Sequence, residues 1–349
     1  MSGTSLDGLD IAYCEFYIVD NKIDYSIPKA VTINYTQEFK DKIIACENMS
    51  GQELYKFSCF LGHYFGQQAY KFLNDNNLEV DFVASHGQTI FHQPNNGFTV
   101  QIGDLSSLAA EVKHKVIGDF RSLDVALGGQ GAPLVPIGDK LLFSDYQSCL
   151  NIGGFSNISY DKRNKRIAFD ICPSNIVLNY LASLLDKQYD KDGNIAKVGK
   201  INKDLLKRLN DIPYYKSKKK YSLGKEWLNE NVMPILNDYI LNESDKKLNL
   251  EDILATYTEH IAIQIAKQIK GRTLITGGGA KNKFLIDKIK QKTNNEIIIP
   301  DDKIIDYKEA LIFAFLGLRR LREECNCLAS VTGAIKDSCS GAIIQWTNN

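Results

Sequence analysis

The chain has 349 residues, 42 of them basic and 42 acidic, with a hydrophobic share of 44%. That length exceeds what one hydrophobic core serves, so two lobes with a large buried interior are expected. Balanced charge gives no overall field toward nucleic acid or an acidic membrane, which favours a small-molecule partner.

The chain opens on Met-Ser-Gly-Thr-Ser-Leu-Asp-Gly-Leu-Asp, Met1 to Asp10. Gly3 and Gly8 let the backbone turn where a side chain would meet a ligand. Thr4 and Ser5 add hydroxyls, Leu6 lies between, and Asp7 and Asp10 add hard oxygen acceptors. Such a turn suits a phosphate chain carrying a divalent cation, with Asp7 as metal ligand; an Asp/Gly hairpin between strands is the alternative. No Gly-Lys-Ser/Thr follows, so it is not a Walker loop. Leu9 to Val19 then alternates as a strand, with Lys22 to Tyr35 its hairpin partner across Asp20-Asn21.

Helical spacing predicts helices over Gln37 to Asn48 and Gln52 to Asn74, the second with Leu54, Phe57, Leu61, Phe65, Ala69 and Phe72 as a core stripe. Val80 to Ser85 reads as a buried strand delivering His86-Gly-Gln-Thr89 at its carboxyl end, where open α/β sheets meet ligands. His86 or Gln88 could hydrogen-bond a sugar or orient a water, or form a polar turn that satisfies its own backbone. Phe98 to Ile102 is a strand, Leu105 to Val112 a helix and Lys115 to Gly118 a strand leading into Asp119-Phe-Arg121-Ser-Leu-Asp124. Arg121 could clamp an anion, or pair with Asp119 or Asp124. The Gly/Pro-rich run Gly128 to Pro136 reads as the crossing between lobes.

Beyond it, Ser148 to Ile152, Gly153-Gly154 and Phe155 to Asp161 repeat the strand, glycine turn and strand of the amino end. Arg166 to Phe169 delivers Asp170, and Pro173 opens a helix near Ser174 to Leu185, so Asp170 is expected at a strand end close to a helix amino terminus. A carboxylate so placed acts as a general base, or only caps the helix. Asp186 to Lys225 is polar and lysine-rich; within it Asp190 to Asn194 reads as a turn rather than a calcium loop, and Lys216 to Lys220 as a solvated, mobile loop that could close over a ligand. Helices follow around Lys225 to Leu241 and Glu251 to Ile269. Thr273 to Thr276 is a strand, Gly277-Gly278-Gly279 a bare turn open to something flat or phosphorylated, and Asn282 to Lys292 a helix. After a strand at Glu296 to Ile299, Glu309 near the start of the last long helix reaches a cleft or complements the helix dipole.

Eight cysteines lack paired metal-ligand spacing and read as reduced, mostly buried thiols. No leader or membrane-spanning run stands out, which points to the cytoplasm.

The ordered motifs Ser2 to Asp10, Ser85-His-Gly-Gln-Thr89, Gln101-Ile-Gly-Asp104, Asp119-Phe-Arg121, Gly128 to Pro136, Asn151 to Asn157, Phe169-Asp170, Gly277 to Asn282, Glu309-Ala310 and Ser330 to Ala334 resemble the anhydro-N-acetylmuramic acid kinases. The resemblance implies an α/β, two-lobed actin-like ATPase (ribonuclease H-like) fold with its active site in the interlobe cleft. One lobe would be 1–124 completed by the tail 326–349, the other 125–325. It implies an ATP- and Mg²⁺-dependent kinase that opens 1,6-anhydro-N-acetylmuramic acid with water and phosphorylates O6 during bacterial cell-wall recycling, and it allows a homodimer. By the same resemblance Gly3, Thr4, Ser5, Leu6, Asp7, Gly8 and Asp10 hold the ATP phosphates and magnesium, and Gly277, Gly278 and Gly279 lie against the adenosine. Asp170 is the general base on water, while His86, Thr89, Arg121 and Glu309 lie near the sugar. Two departures stand out. Relatives carry several apolar residues ahead of Ser-Gly-Thr-Ser, as the first half of a central strand, whereas Met1 opens the motif here; a start upstream of Met1 is expected, the alternative being a lobe that has lost a strand stiffening its phosphate turn. Many relatives have Thr-Gly-Pro-Gly-Asn after the aspartate, where this chain has Ile171-Cys-Pro-Ser-Asn175.

Overall fold

A computed structural model describes residues 1–3, 6–20, 22–218, 220–240 and 248–347. The amino-terminal ribbon forms as its alternation predicts: β1 (Gly8–Val19) runs antiparallel to β2 (Lys22–Asn34), with Gly8 opposite Asn34 and Val19 opposite Lys22. The chain divides into two compact units, Met1–Leu142 with Tyr307–Asn349, and Phe143–Asp306.

In the first unit the helix Gly51–Asp75 starts on a reciprocal cap. Ser50 Oγ accepts from Glu53 N, and the Glu53 carboxylate accepts from Ser50 N, so two of the helix's orphan donors are satisfied at once. Of the expected stripe Leu61 and Phe65 are buried and Leu54, Phe57, Ala69 and Phe72 half-buried, while Leu73, outside it, is buried as well. Gly62 and Gly66, one turn apart, set how closely this helix approaches the helix Leu105–Val112. A methyl at Gly62 would stand 2.3 Å from the Asp104 carbonyl oxygen, and one at Gly66 would stand 2.7 Å from that of Leu108.

Short strand β3 (Val83–Ser85) is followed by a hairpin, β4 (Gln88–Gln93) and β5 (Phe98–Ile102), and β6 (Val116–Gly118) lies parallel to β3. The sequence reading delivers His86 to Thr89 at the strand's carboxyl end, as ligand-facing residues or a polar turn. Instead Gly87, at φ +72°, swings the chain out of β3, and Thr89 pairs with Gln101 inside the hairpin.

The second unit carries a five-stranded sheet. β7 (Ser148–Ile152), β8 (Phe155–Lys162) and β9 (Lys165–Pro173) form an antiparallel meander, and β10 (Thr273–Thr276) and β11 (Ile297–Ile298) extend it parallel to β7 in the order β11-β10-β7-β8-β9. Leu150, Ile152 and Ile158 are fully buried beneath the helix Leu250–Ala266, whose Ile253, Tyr257, Ile261 and Ile265 are likewise closed off from solvent. The polar, lysine-rich stretch Asp186 to Lys225, for which the sequence reading names no helix, contains the helix Lys203–Asn210, with Leu205 and Leu209 buried, and the buried Tyr214 and Tyr215. Two leucines at helical spacing among lysines and acids are a stripe too sparse to outweigh the surrounding polarity. Asp190 is a turn residue as expected, its carboxylate accepting from the backbone of Ile195 and Ala196. Lys219, within the segment expected to be mobile, lies outside the described residues.

The carboxyl-terminal strand β12 (Ala342–Ile344) returns to the first unit and pairs antiparallel with β6. The unit boundaries differ from the expected lobes at both junctions. The helix Val135–Leu141 clusters with the first unit, where Gly138 lies against Ile312 and Asp139 pairs with Lys308 at 2.7 Å. Most of the helix Asp302–Leu321 belongs there too. No helix of the described residues is long and apolar enough to cross a membrane.

Gly62→Ala is expected to lose about 1–3 kcal/mol of stability, because the added methyl meets backbone rather than a movable side chain. Gly51→Ala, with nothing within 4 Å of the added carbon, is expected to lose none. Denaturant unfolding of the two variants measures the difference.

Candidate active site

In the first unit the tip Gly3 to Gly8 closes a short antiparallel ladder. Met1 and Asp10 exchange both backbone hydrogen bonds, at 2.7 and 2.9 Å, and Ser2 pairs with Leu9. Leu6 sits at φ +56° with its amide on the Gly3 carbonyl, Asp7 is exposed at the tip, and Thr4 and Ser5 lie outside the described residues. Gly8 is required by its neighbour strand, since a methyl there would stand 2.5 Å from the Ile33 carbonyl oxygen. Asp10 Oδ1 accepts from Thr32 Oγ1 at 2.6 Å, which holds that carboxylate in place.

Behind the tip, Ser2 Oγ donates to Gln88 Oε1 at 2.5 Å, tying it to the start of β4. His86 is buried and uses both ring nitrogens on protein. Its Nδ1 meets the Gly87 carbonyl at 2.9 Å, which assigns the proton to Nδ1. Nε2 then accepts from Arg121 Nε at 3.1 Å and Nη2 at 2.9 Å. Burial, and next the guanidinium beside it, push the imidazole down to about 3, so His86 is a neutral acceptor. The structure therefore places His86 against Arg121, with both ring nitrogens engaged by protein. Arg121 Nη1 also donates to the Gly131 carbonyl at 2.7 Å, and its guanidinium lies 5.9 Å from the Phe313 ring centroid.

Arg121 pairs with neither carboxylate suggested by the sequence. Asp119 caps Ser122, and Asp124 is fully buried on other partners. Glu309 is exposed to solvent, yet the protein packed around it raises its carboxyl, while the nearby Arg121 opposes the rise. Asp10 and Arg121 both act on Glu309 through charge, so three of the expected residues share one neighbourhood. Thr89 lies on the hairpin, its Oγ1 accepting from Gln101 Nε2 at 3.3 Å.

In the second unit Asp170 stands inside β9, opposite Asn157, because the strand continues to Pro173 and the helix begins only at Asn175. This corrects the strand-end position expected from Pro173. Ile171 and Cys172, the residues that replace Thr-Gly, are buried in the core and carry the strand onward. Asp170 Oδ2 accepts from the Leu223 amide at 2.6 Å, and its backbone carbonyl accepts from the Tyr214 hydroxyl at 2.5 Å. Burial pushes the carboxyl from 3.8 to about 6, an effect the Leu223 amide moderates. Sequence reading missed Tyr214 and Leu223; the only signal was an aromatic pair, Tyr214-Tyr215, in an otherwise polar stretch.

The glycine turn divides on inspection. A methyl at Gly277, which sits at φ +82°, would stand 2.5 Å from Asn151 Oδ1, and one at Gly279 would stand 2.2 Å from Ile152 Cγ2. Those two glycines are required by packing on β7, whereas a methyl at Gly278 meets nothing closer than 3.7 Å, so only there is space kept open. The tip Gly153-Gly154 is held from behind, its carbonyls accepting from the amides of Ser174, Asn175 and Ile176. Among the described residues no group of three or more His, Cys, Asp or Glu could hold a metal ion.

A family model described as anhydro-N-acetylmuramic acid kinase matches residues 1–346. A protein of that description from Francisella tularensis subsp. novicida is 35% identical over 365 residues, covering 96% of this chain and 94% of its own. One from Sulfurimonas denitrificans is 32% identical over 368 residues, covering 99% and 98%. Among solved structures, the activator of the 2-hydroxyisocaproyl-CoA dehydratase from Clostridium difficile with bound ADPNP aligns at 16% identity and a TM-score of 0.33, over 61% of this chain and 82% of that one.

With its carboxyl raised to about 6, Asp170 keeps a proton in the folded protein that the unfolded chain has already lost above 3.8. Its ionisation therefore lowers stability as pH rises through that window, and the loss is complete above it. Asp170→Asn is expected to raise the melting temperature at pH 7.5 and to lose that advantage at pH 4, as read by thermal unfolding at both pH values.

Proposed function

Since the chain belongs to the anhydro-N-acetylmuramic acid kinase family, we propose that it uses ATP and water to convert 1,6-anhydro-N-acetylmuramic acid to N-acetylmuramic acid 6-phosphate. The observation that carries this reading is Asp170. Its carboxylate is partly withdrawn from water, raised to about 6, and held through one oxygen by the Leu223 amide. A base poised so close to neutrality is ionised at working pH yet still takes up a proton readily.

In the reaction Asp170 takes one proton from water as the water oxygen bonds to C1. The C1–O6 bond breaks, and O6 takes the γ-phosphoryl group as ADP leaves. Positioning and charge stabilisation supply most of the catalysis in phosphoryl transfer, and the base adds about 10²- to 10⁴-fold. Arg121, anchored by His86, is the cation that meets the sugar, with Glu309 beside it. Thr89 belongs to the same sugar-facing set. The tip Gly3 to Asp10 cradles phosphates and Gly278 offers the open approach to adenosine. Asp7 at the tip, with Asp10 held by Thr32, fits Mg²⁺, an ion that takes one or two protein carboxylates and fills its other positions with phosphate oxygens and water. When bound, the ion draws charge off the transferring phosphoryl group. Ile171 and Cys172 are buried in the core, so the replacement of Thr-Gly alters packing beside Asp170. A bacterial cytoplasmic role in cell-wall recycling goes with this reading, as does a homodimer.

Incubation with ATP, Mg²⁺ and the anhydro sugar is expected to yield a product heavier by one phosphoryl group plus one water, as read by mass spectrometry. A product heavier by phosphoryl alone, or phosphorylation of an already opened amino sugar only, would point to a different acceptor. Asp170→Asn is expected to lower kcat by about 10²- to 10⁴-fold while nucleotide still binds. In the parent enzyme kcat is expected to fall as pH drops through about 6.

A further inference from the structure

Asp124 has no part in the reaction set out above, yet its carboxylate is fully buried beside the residues that do. Oδ1 accepts from Thr332 Oγ1 at 2.8 Å and from Cys327 Sγ at 3.1 Å, and Oδ2 accepts from the Gly131 amide at 2.8 Å. All three donors are neutral. A buried carboxylate held only by neutral donors is expensive to keep, and a stability role alone would be served as well by an uncharged side chain.

What the carboxylate holds is a single glycine whose two neighbouring peptides have different uses. The Gly131 amide faces Asp124, and the Gly131 carbonyl accepts from Arg121 Nη1 at 2.7 Å. The surrounding turn is shaped to the carboxylate. A methyl at Gly129 would stand 2.2 Å from Asp124 Oδ2, and Gly131 itself sits at φ +64°. From the carboxyl-terminal side the Thr332 carbonyl accepts from the Gln130 amide at 2.9 Å. Arg121 is thus gripped on two sides, by His86 on Nε and Nη2 and by this turn on Nη1.

We propose that Asp124 is a positioning residue: together with Cys327 and Thr332 it fixes the Gly131 carbonyl and so aims the Arg121 guanidinium at the substrate. Asp124 touches no substrate itself. The distant carboxyl-terminal segment thereby becomes part of what sets the sugar site. This rests on the reading of Arg121 as a sugar contact.

The test is a double-mutant cycle of Asp124→Asn and Arg121→Ala, with steady-state kinetics varied in sugar and in ATP. Asparagine keeps an acceptor for Thr332 and sets an amide against the Gly131 N–H. Asp124→Asn alone is expected to raise KM for the sugar about tenfold, the worth of one hydrogen bond to a charged group, with KM for ATP unchanged. On the Arg121→Ala background it is expected to change kcat/KM for the sugar by less than about twofold, since the group it positions is gone. Losses that multiply across the two backgrounds, or that fall equally on ATP and sugar, would overturn the proposal and leave Asp124 a stability residue. Thr332→Val, which removes one donor and keeps the shape, runs the same cycle should Asp124→Asn fail to fold. Arg121→Ala with parent kinetics would instead overturn the reading of Arg121, and this proposal with it.

Discussion

The first unit's site depends on a guanidinium that is crowded by protein and bonded only to neutral acceptors. Arg121 donates to a histidine nitrogen and a peptide carbonyl, and among the described residues no carboxylate lies within ion-pair distance. A salt bridge would have neutralised the cation and fixed it to its own protein. Here the imidazole is kept uncharged by burial and by the arginine itself, so it accepts two hydrogen bonds without cancelling any charge. The cation is held in place by three hydrogen bonds and its charge is left uncancelled. Glu309 feels that field without closing on it.

The second unit applies the opposite sign with the same economy. Asp170 is withdrawn from water far enough to raise its carboxyl to about 6, yet its hydrogen-bond donor is one backbone amide rather than a cation, which would have pulled it back down. Neutral partners preserve charge at Arg121 and basicity at Asp170, and in both cases the protein gives up stability it could have had from pairing. Marginal stability is the usual consequence of keeping such groups poised. The cores bear that loss: the capped helix Gly51–Asp75 in one unit and the enclosed helix Leu250–Ala266 in the other.

Much of this arrangement is legible in the sequence where local pattern and tertiary need agree. The alternation of β1 and β2, the stripe of the helix Gly51–Asp75 and the hairpin around Gly153-Gly154 all form close to their expected bounds, because burial only reinforces what propensity already favours. The misplacements have specific causes. Pro173 suits a helix start, but it also tolerates the end of an edge strand, and β9 is such an edge, so Asp170 falls inside a strand rather than at its tip. Gly87 turns the chain in one residue, and what reads as a terminal loop becomes β4. The partners that set the site, Gly131, Tyr214 and Leu223, act through backbone groups or from distant sequence, and no residue-type pattern announces a peptide carbonyl as an anchor.

Glycine shows most plainly why motif and mechanism have to be separated. Gly8, Gly277 and Gly279 each have protein atoms where a side chain would go, so they would be required whether or not any nucleotide bound. Their packing sets the path of the backbone, and that path leaves Gly278 open and presents the tip at Asp7. The open positions are therefore few, and they are placed by glycines whose own side-chain space is filled by protein. A glycine-rich motif of this kind encodes a backbone trajectory first and a binding site as its consequence.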